Sequence, residues 1–66
     1  MKTLKKLTDE LYNGKVEDKF IAIYEENEPL YPDYADEILD THGDRLVKDY
    51  RIRKDGILVV LLEEEK

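Results

Sequence analysis

The dipeptide Asp55-Gly56 stands between two strand-like apolar segments and constrains the fold more than any other feature of the sequence. It is the strongest short-range signal for a two-residue β-hairpin turn, because both central residues of that turn need a positive φ. We therefore predict antiparallel strands near residues 46–53 and 57–62. A two-residue turn also sets the register of the hairpin, so Ile52 should face Val59.

A helix and a further strand are expected in the first part of the chain. Apolar residues recur at helical spacing over residues 3–12, and Asn13-Gly14 follows, where glycine tolerates the left-handed conformation that ends many helices. Residues 19–25 place apolar side chains on both faces between charged ends, which predicts a strand buried on much of both faces. Two prolines between residues 26 and 32 exclude regular helix, so this segment is expected to be a loop or an edge segment.

Residues 34–42 are expected to form a second helix. Asp33 stands where an N-cap should be, Asp36 follows three residues later in an acidic variant of the capping box, and Gly43 closes the helix. The order helix, strand, helix, hairpin predicts the α+β class. We expect a single domain over residues 1–66, in which a three-stranded sheet is packed by two short helices.

The chain is so short that its core is marginal. A domain of this size buries only about 60% of the surface that its unfolded form exposes, and without cysteine it has no disulfide to compensate. The last strand, Ile57 to Leu62, is apolar on both faces, and two small helices leave part of such a sheet uncovered. A symmetric homodimer that hides the remainder is one expectation, and a monomer is the other.

Catalytic and metal-binding patterns are sparse in this sequence. There is no serine and no cysteine, and the glycines are isolated, so hydroxyl and thiol nucleophiles are scarce and a phosphate-binding loop is excluded. His42 stands two residues after Asp40 and two before Asp44, but one imidazole with two carboxylates at a helix end matches no recognised metal-site spacing. We interpret His42 as a helix-end residue and expect no enzymatic activity, no cofactor and no metal.

Negative charge is concentrated in the middle of the chain. The net charge of the protein is −6, whereas residues 17–44 hold ten acidic residues against one lysine. Four of these acids recur at helical spacing on the face opposite the apolar side of the second helix: Asp33, Asp36, Glu37 and Asp40. Like charges at this spacing weaken a helix. The row is either an ordinary solvated helix face or a binding surface for a basic partner, and the neighbouring Tyr31 and Tyr34 are either interface anchors or core.

In this charge pattern the chain resembles the small acidic proteins that bacteriophages make early in infection, which include DNA-mimic inhibitors. The resemblance rests on carboxylates of the middle segment: Glu25, Glu26, Glu28, Asp33, Asp36, Glu37, Asp40 and Asp44. It implies a carboxylate-lined face that blocks the basic DNA-binding surface of a host protein, such as an HU-type nucleoid protein or a DNA-repair enzyme.

Other features of the sequence leave alternatives open. The basic segment from Arg45 to Lys54 departs from a uniformly acidic mimic, so a nucleic acid or an acidic protein stays open as a ligand of the other face. A small accessory or structural module, whose acidity serves only solubility, is the alternative from a different class. The sequence lacks the apolar run of a signal peptide or a membrane span, so we expect a soluble cytoplasmic protein without membrane binding. The net charge of −6 disfavours non-specific binding to nucleic acid, so we expect no direct nucleic-acid ligand.

Overall fold

The computed structural model describes residues 1–25, 28–29 and 32–63. In chain order the described elements are α1 (Leu4–Tyr12), β1 (Phe20–Glu25), β2 (Glu28–Pro29), β3 (Asp33–Tyr34), α2 (Ala35–His42), β4 (Val47–Ile52) and β5 (Leu58–Leu62). These elements confirm the α+β class and the two helices and three long strands that the sequence predicts.

The strands form one mixed sheet. Its order is β2–β1–β5–β4, and β3 pairs with β1 as well, on the same side as β2. β1 and β5 run parallel, whereas the other pairs are antiparallel. The predicted three-stranded sheet is therefore too small, since β2 and β3 extend it beyond β1. Both are two-residue strands, which are too short for an alternation of side chains to be recognised in the sequence.

Helix α1 begins and ends as its sequence predicts. Thr3 is the N-cap, and its Oγ1 accepts a hydrogen bond from the Lys6 N–H at 3.2 Å. Asn13 follows the last turn in the left-handed conformation with φ 55°, and Gly14 continues with φ 76°. The helix therefore stops before β1 because two successive residues leave the right-handed helical region.

Helix α2 begins differently from the prediction. Its N-cap is Tyr34, which makes no side-chain cap hydrogen bond, and Asp33 belongs to β3. Pairing of β3 with β1 places Asp33 opposite Ile21 in extended conformation. The first helical N–H, that of Ala35, donates to the Lys19 carbonyl at 2.9 Å. The predicted N-cap and capping box are wrong because pairing with β1 fixes the backbone at this end of the helix.

The hairpin of β4 and β5 forms, but its register differs from the prediction by one residue. Ile52 pairs with Leu58 rather than with Val59, and Val59 pairs with Arg51. The cause is the connecting loop, which contains the three residues 54–56 instead of two.

The hydrogen bonds of the turn explain this longer loop. The Arg53 N–H donates to the Ile57 carbonyl at 2.9 Å and closes the ladder, and the Gly56 N–H donates to the Arg53 carbonyl at 2.9 Å. Gly56 has φ 89°, whereas Asp55 keeps a negative φ, as expected of a three-residue loop in which a type I turn precedes a left-handed glycine. The Asp55 carboxylate accepts the Ile57 N–H at 3.2 Å. The dipeptide therefore suits two loop types, and the longer one forms.

The core lies between one face of the sheet and the two helices. Its buried members are Leu4, Leu7, Ile21, Ile23, Ala35, Ile38, Val47, Leu58, Val60 and Leu62. Alternate residues of the two central strands thus face the helices, and each fully buried leucine or isoleucine stabilises the fold by about 1.5–3 kcal/mol. An irregularity in the β4 register between Val47 and Asp49 turns Val47 toward this same core.

Candidate functional site

Helix α2 presents three carboxylates to solvent because its other side is anchored in the core. Ala35 and Ile38 are buried against the sheet. Asp36, Glu37 and Asp40 fall on the opposite side of the helix and are exposed. The alternation of apolar and acidic residues at helical spacing therefore produces a negatively charged outer face, as the sequence predicts.

Asp33 joins this group from the sheet rather than from the helix. Residues of a strand alternate between its two faces, and the partner of Asp33 in β1 is Ile21, whose side chain lies in the core beneath the helices. The Asp33 side chain is therefore on the helix side of the sheet and next to the first turn of α2. We call the four carboxylates of Asp33, Asp36, Glu37 and Asp40 the acidic patch.

The electrostatics of the acidic patch show that its members are close together. The pKa of Glu37 is raised above its ordinary value of 4.5, chiefly by the negative charge of Asp33, then by desolvation, and further by a hydrogen bond to Asp33 and by the charges of Asp36 and Asp40. Asp36 Oδ1 also accepts the Glu37 N–H at 3.0 Å, which is a local contact and not the predicted capping box. The four groups therefore form one strongly negative site.

Tyr34 points away from the acidic patch. Its partner in β1 is Phe20, and the centroids of the two rings are 5.1 Å apart, with their planes tilted by 32°. Both rings lie on the face of the sheet opposite the helices, and Tyr34 is 54% exposed. The structure thus places Tyr34 neither in the core nor beside the carboxylates, because alternation along β3 sends Asp33 and Tyr34 to opposite faces.

The other residues of the predicted site are scattered or lie outside the described residues. Asp44 is exposed in the turn after α2, beyond the end of the helix. Glu25 and Glu28 pair with each other at the end of β1 and in β2. Glu26 and Tyr31 lie outside the described residues.

His42 lies at the end of α2, where its Nδ1 is 2.6 Å from the Thr41 hydroxyl oxygen. Within residues 1–25, 28–29 and 32–63, no three histidine, aspartate or glutamate side chains are grouped so that they could hold a metal ion. The hydroxyl of Thr41 also lies 3.3 Å from the carbonyls of Glu37 and Ile38. The contacts of His42 are thus local to the last turn of the helix.

The sequence predicts that part of the sheet is uncovered, but it does not predict that the uncovered surface includes the aromatic side chains of β1. Phe20 and Tyr24 on β1 are each 41% exposed, although the apolar sequence of this strand predicts burial on both faces. Ala22 between them is buried, and the two described helices cover only the opposite face. The sequence signal for this surface was the alternation along β1, which places the large aromatic side chains on one face of the strand and the isoleucines on the other. Two short helices cover only one face of the sheet, so the aromatic face is left exposed.

The chain matches no protein-family model, no curated protein and no solved structure. Neither α1 nor α2 has the length and apolar character that a membrane-spanning helix requires. The basis for a functional proposal is therefore the geometry of the acidic patch and of the sheet surface.

Proposed function

We propose that the acidic patch binds the basic DNA-binding surface of another protein and competes there with DNA. The observation that carries this proposal is that the four exposed carboxylates of the acidic patch lie close together. Repulsion from the other three carboxylates contributes to the raised pKa of Glu37. Such mutual repulsion destabilises the isolated protein, and a surface of lysine and arginine side chains would relieve it. Binding to a cationic partner is therefore favoured by the same charges that are unfavourable in the free chain.

The spacing of the carboxylates supports competition with DNA. Each strand of DNA presents a negative charge about every 3.4 Å along the axis. Asp36 and Asp40 are separated by about 6 Å along the axis of α2, Glu37 lies between them, and Asp33 extends the group at the beginning of the helix. The acidic patch therefore offers arginine and lysine side chains a comparable density of anionic ligands.

The helix that carries these charges is fixed at both ends by backbone hydrogen bonds. At its beginning the Ala35 N–H donates to the Lys19 carbonyl at 2.9 Å, and after its end the Lys5 N–H donates to the Gly43 carbonyl at 3.0 Å. A preorganised group of charges loses little conformational freedom on binding. This rigidity supports a role in recognition, with an HU-type nucleoid protein or a DNA-repair enzyme in the bacterial cytoplasm as the proposed type of target.

The experiment is a displacement assay with fluorescent duplex DNA bound to a purified HU-type protein. The wild-type chain should release the DNA at low salt and should do so less well at 0.3 M salt, because charge pairs are screened over about 8 Å near physiological ionic strength. Reversal of Asp36, Glu37 and Asp40 to lysine should weaken displacement by about 100-fold or more, since opposed like charges cost several kcal/mol.

A matched control separates the acidic patch from net charge. Reversal of Asp9, Glu17 and Asp18 to lysine changes the net charge by the same amount, and all three residues are exposed outside the acidic patch. This control variant should displace DNA nearly as well as the wild type. Equal displacement by both triple variants would contradict the proposal, and absence of displacement by the wild type would favour the alternative, an accessory module whose acidity serves solubility.

A further inference from the structure

The sheet face opposite the helices carries an ordered pattern of side chains, which we call the open face. The strand pairings place its residues in three rows across β1, β5 and β4. Two rows are Tyr24–Leu61–Asp49 and Ala22–Val59–Arg51. Continuing the same register by one residue gives a third row, Phe20–Ile57–Arg53, in which the Arg53 N–H donates to the Ile57 carbonyl and Tyr34 pairs with Phe20. Each row is apolar in the middle and charged at the β4 side, and two of them begin with an aromatic ring.

The open face exposes much apolar surface for so small a protein. Phe20, Tyr24 and Tyr34 are each at least 41% exposed, and Val59 and Leu61 at the centre of the face are only half-buried. Apolar patches of this kind on a soluble domain mark interaction sites.

We propose that the open face is the interface of a symmetric homodimer, in which the two sheets pack face to face. The two-fold axis runs parallel to the strands. This arrangement places each row against the same row of the second copy, with the charged β4 side of one copy over the aromatic side of the other. The apolar centres of the rows, at Val59 and Leu61, then lie near the axis and pack against each other.

The charges of the open face fit this arrangement. Arg51 lies over the aromatic side of the second copy, where the small Ala22 leaves space between two rings, and a guanidinium group is attracted to aromatic faces. Asp49 and Tyr24 share a row, so the Asp49 carboxylate can accept a hydrogen bond from the Tyr24 hydroxyl of the second copy. A two-fold axis perpendicular to the strands would instead place Arg51 of one copy opposite Arg51 of the second copy. Repulsion between these like charges disfavours that arrangement.

The size of the open face determines the strength of the dimer. From the spacing of strands and the rise per residue, the face measures about 20 by 17 Å, or about 350 Å² in projection for each copy. Specific interfaces bury roughly 600 Å² or more of each partner, so a face of this size lies below that range. We therefore expect a weak dimer that dissociates when the protein is diluted into the micromolar range.

Two other occupants of this surface are less well supported. Single-stranded nucleic acid stacks on aromatic side chains, but the net charge of −6 and Asp49 within the face oppose a polyanion. Addition of a strand at the edge of β4 is opposed by Asp49 as well, because its Oδ1 accepts the Tyr50 N–H at 2.8 Å. A second copy of the chain satisfies both the apolar and the charged residues of the open face.

Sedimentation equilibrium from 5 µM to 1 mM protein tests the dimer. The average mass should rise from that of one chain toward that of two across this range. Arg51→Glu should weaken the association by at least 10-fold and leave the melting temperature of the dilute protein unchanged, because Arg51 is exposed. A constant monomer mass up to 1 mM, or dimerisation of Arg51→Glu at the wild-type strength, would overturn the proposal.

A control on the same strand tests which face is used. Ile52 is 51% exposed at the edge of the helix side of β4, so Ile52→Lys should dimerise as the wild type does. Backbone amide shifts on dilution should be confined to β1, β3, β4 and β5 and absent from α2 after its first turn. Weaker association of Ile52→Lys, dilution shifts in α2 after its first turn, or saturable shifts of the open face with an oligothymidine would each overturn the assignment. The variants in this test leave the acidic patch unchanged, so the outcome of the test is independent of the proposed function.

Discussion

Replacement of Gly43 by alanine tests how α2 is held, because two simple arguments predict opposite signs. Gly43 follows α2 with φ −58° and ψ −29°, a conformation that alanine adopts readily. On propensity alone, alanine should stabilise the protein by about 0.4–1 kcal/mol through the loss of freedom in the unfolded chain. The surroundings of Gly43 predict the reverse.

A Cβ atom on Gly43 would meet backbone. It would lie less than 3.0 Å from the Leu39 carbonyl oxygen and 3.4 Å from the Leu39 carbonyl carbon, and neither atom is part of a flexible side chain. The Gly43 N–H donates to the same oxygen at 2.9 Å, and the Gly43 carbonyl accepts the Lys5 N–H, so a shift of the backbone would disturb both contacts. Overpacking of this kind costs about 1–3 kcal/mol.

Subtracting the middle of the expected gain, about 0.7 kcal/mol, from the middle of the steric cost, about 2 kcal/mol, leaves a net destabilisation of Gly43→Ala of about 1.3 kcal/mol. For a domain of this size that lowers the melting temperature by roughly 5–10 °C. Thermal unfolding followed by circular dichroism measures it, and Asp44→Ala, one residue further and exposed, is a control that should change stability by less than about 0.5 kcal/mol. A Gly43→Ala protein as stable as the wild type, or more stable, would refute the steric argument.

Three further predictions concern the core, the first helix and pH. Leu58→Ala should cost about 2–5 kcal/mol in denaturant unfolding, because Leu58 is fully buried, whereas Ile52→Ala at the exposed edge should cost less than about 1 kcal/mol. Thr3→Ala should cost about 1 kcal/mol through loss of the N-cap, and an unchanged unfolding midpoint would contradict the role of the cap. The raised pKa of Glu37 means that the folded state binds a proton there more readily than the unfolded chain, so stability from this group is lost as pH rises above 4.5. Glu37→Gln should therefore melt higher than the wild type at pH 7 and lose that advantage near pH 4, and an advantage independent of pH would contradict the repulsion.

The long elements are predictable from the sequence because their periodicity extends over several residues. The apolar side of helix α1 and its end at Asn13-Gly14 follow from the sequence, whereas its N-cap, Thr3, is a finding of the structure. The register of the hairpin is not predictable in the same way, since Asp55-Gly56 suits both a two-residue and a three-residue loop. The two loops give registers that differ by one residue, and the pairing of Ile52 with Leu58 corresponds to the longer loop.

The acidic patch is partly predictable. The spacing of Asp36, Glu37 and Asp40 places them on one side of a helix whatever the tertiary structure. Helical spacing does not explain why Asp33 belongs to the same patch, because Asp33 lies in β3, which pairs with β1, and not in α2. That pairing joins residues distant in the sequence and also sends Tyr34 to the open face, which local patterns do not predict.

A titration of isotope-labelled protein with an unlabelled HU-type protein at low salt tests the central claim most directly. The amide signals of Asp36, Glu37 and Asp40 should shift or broaden as the partner is added, and they should return to their free positions when duplex DNA is added in excess. Signals of the open face, such as those of Val59 and Leu61, should follow only the concentration of the labelled protein. Absence of any change in α2, or changes in α2 that persist when DNA saturates the partner, would contradict competition between the acidic patch and DNA.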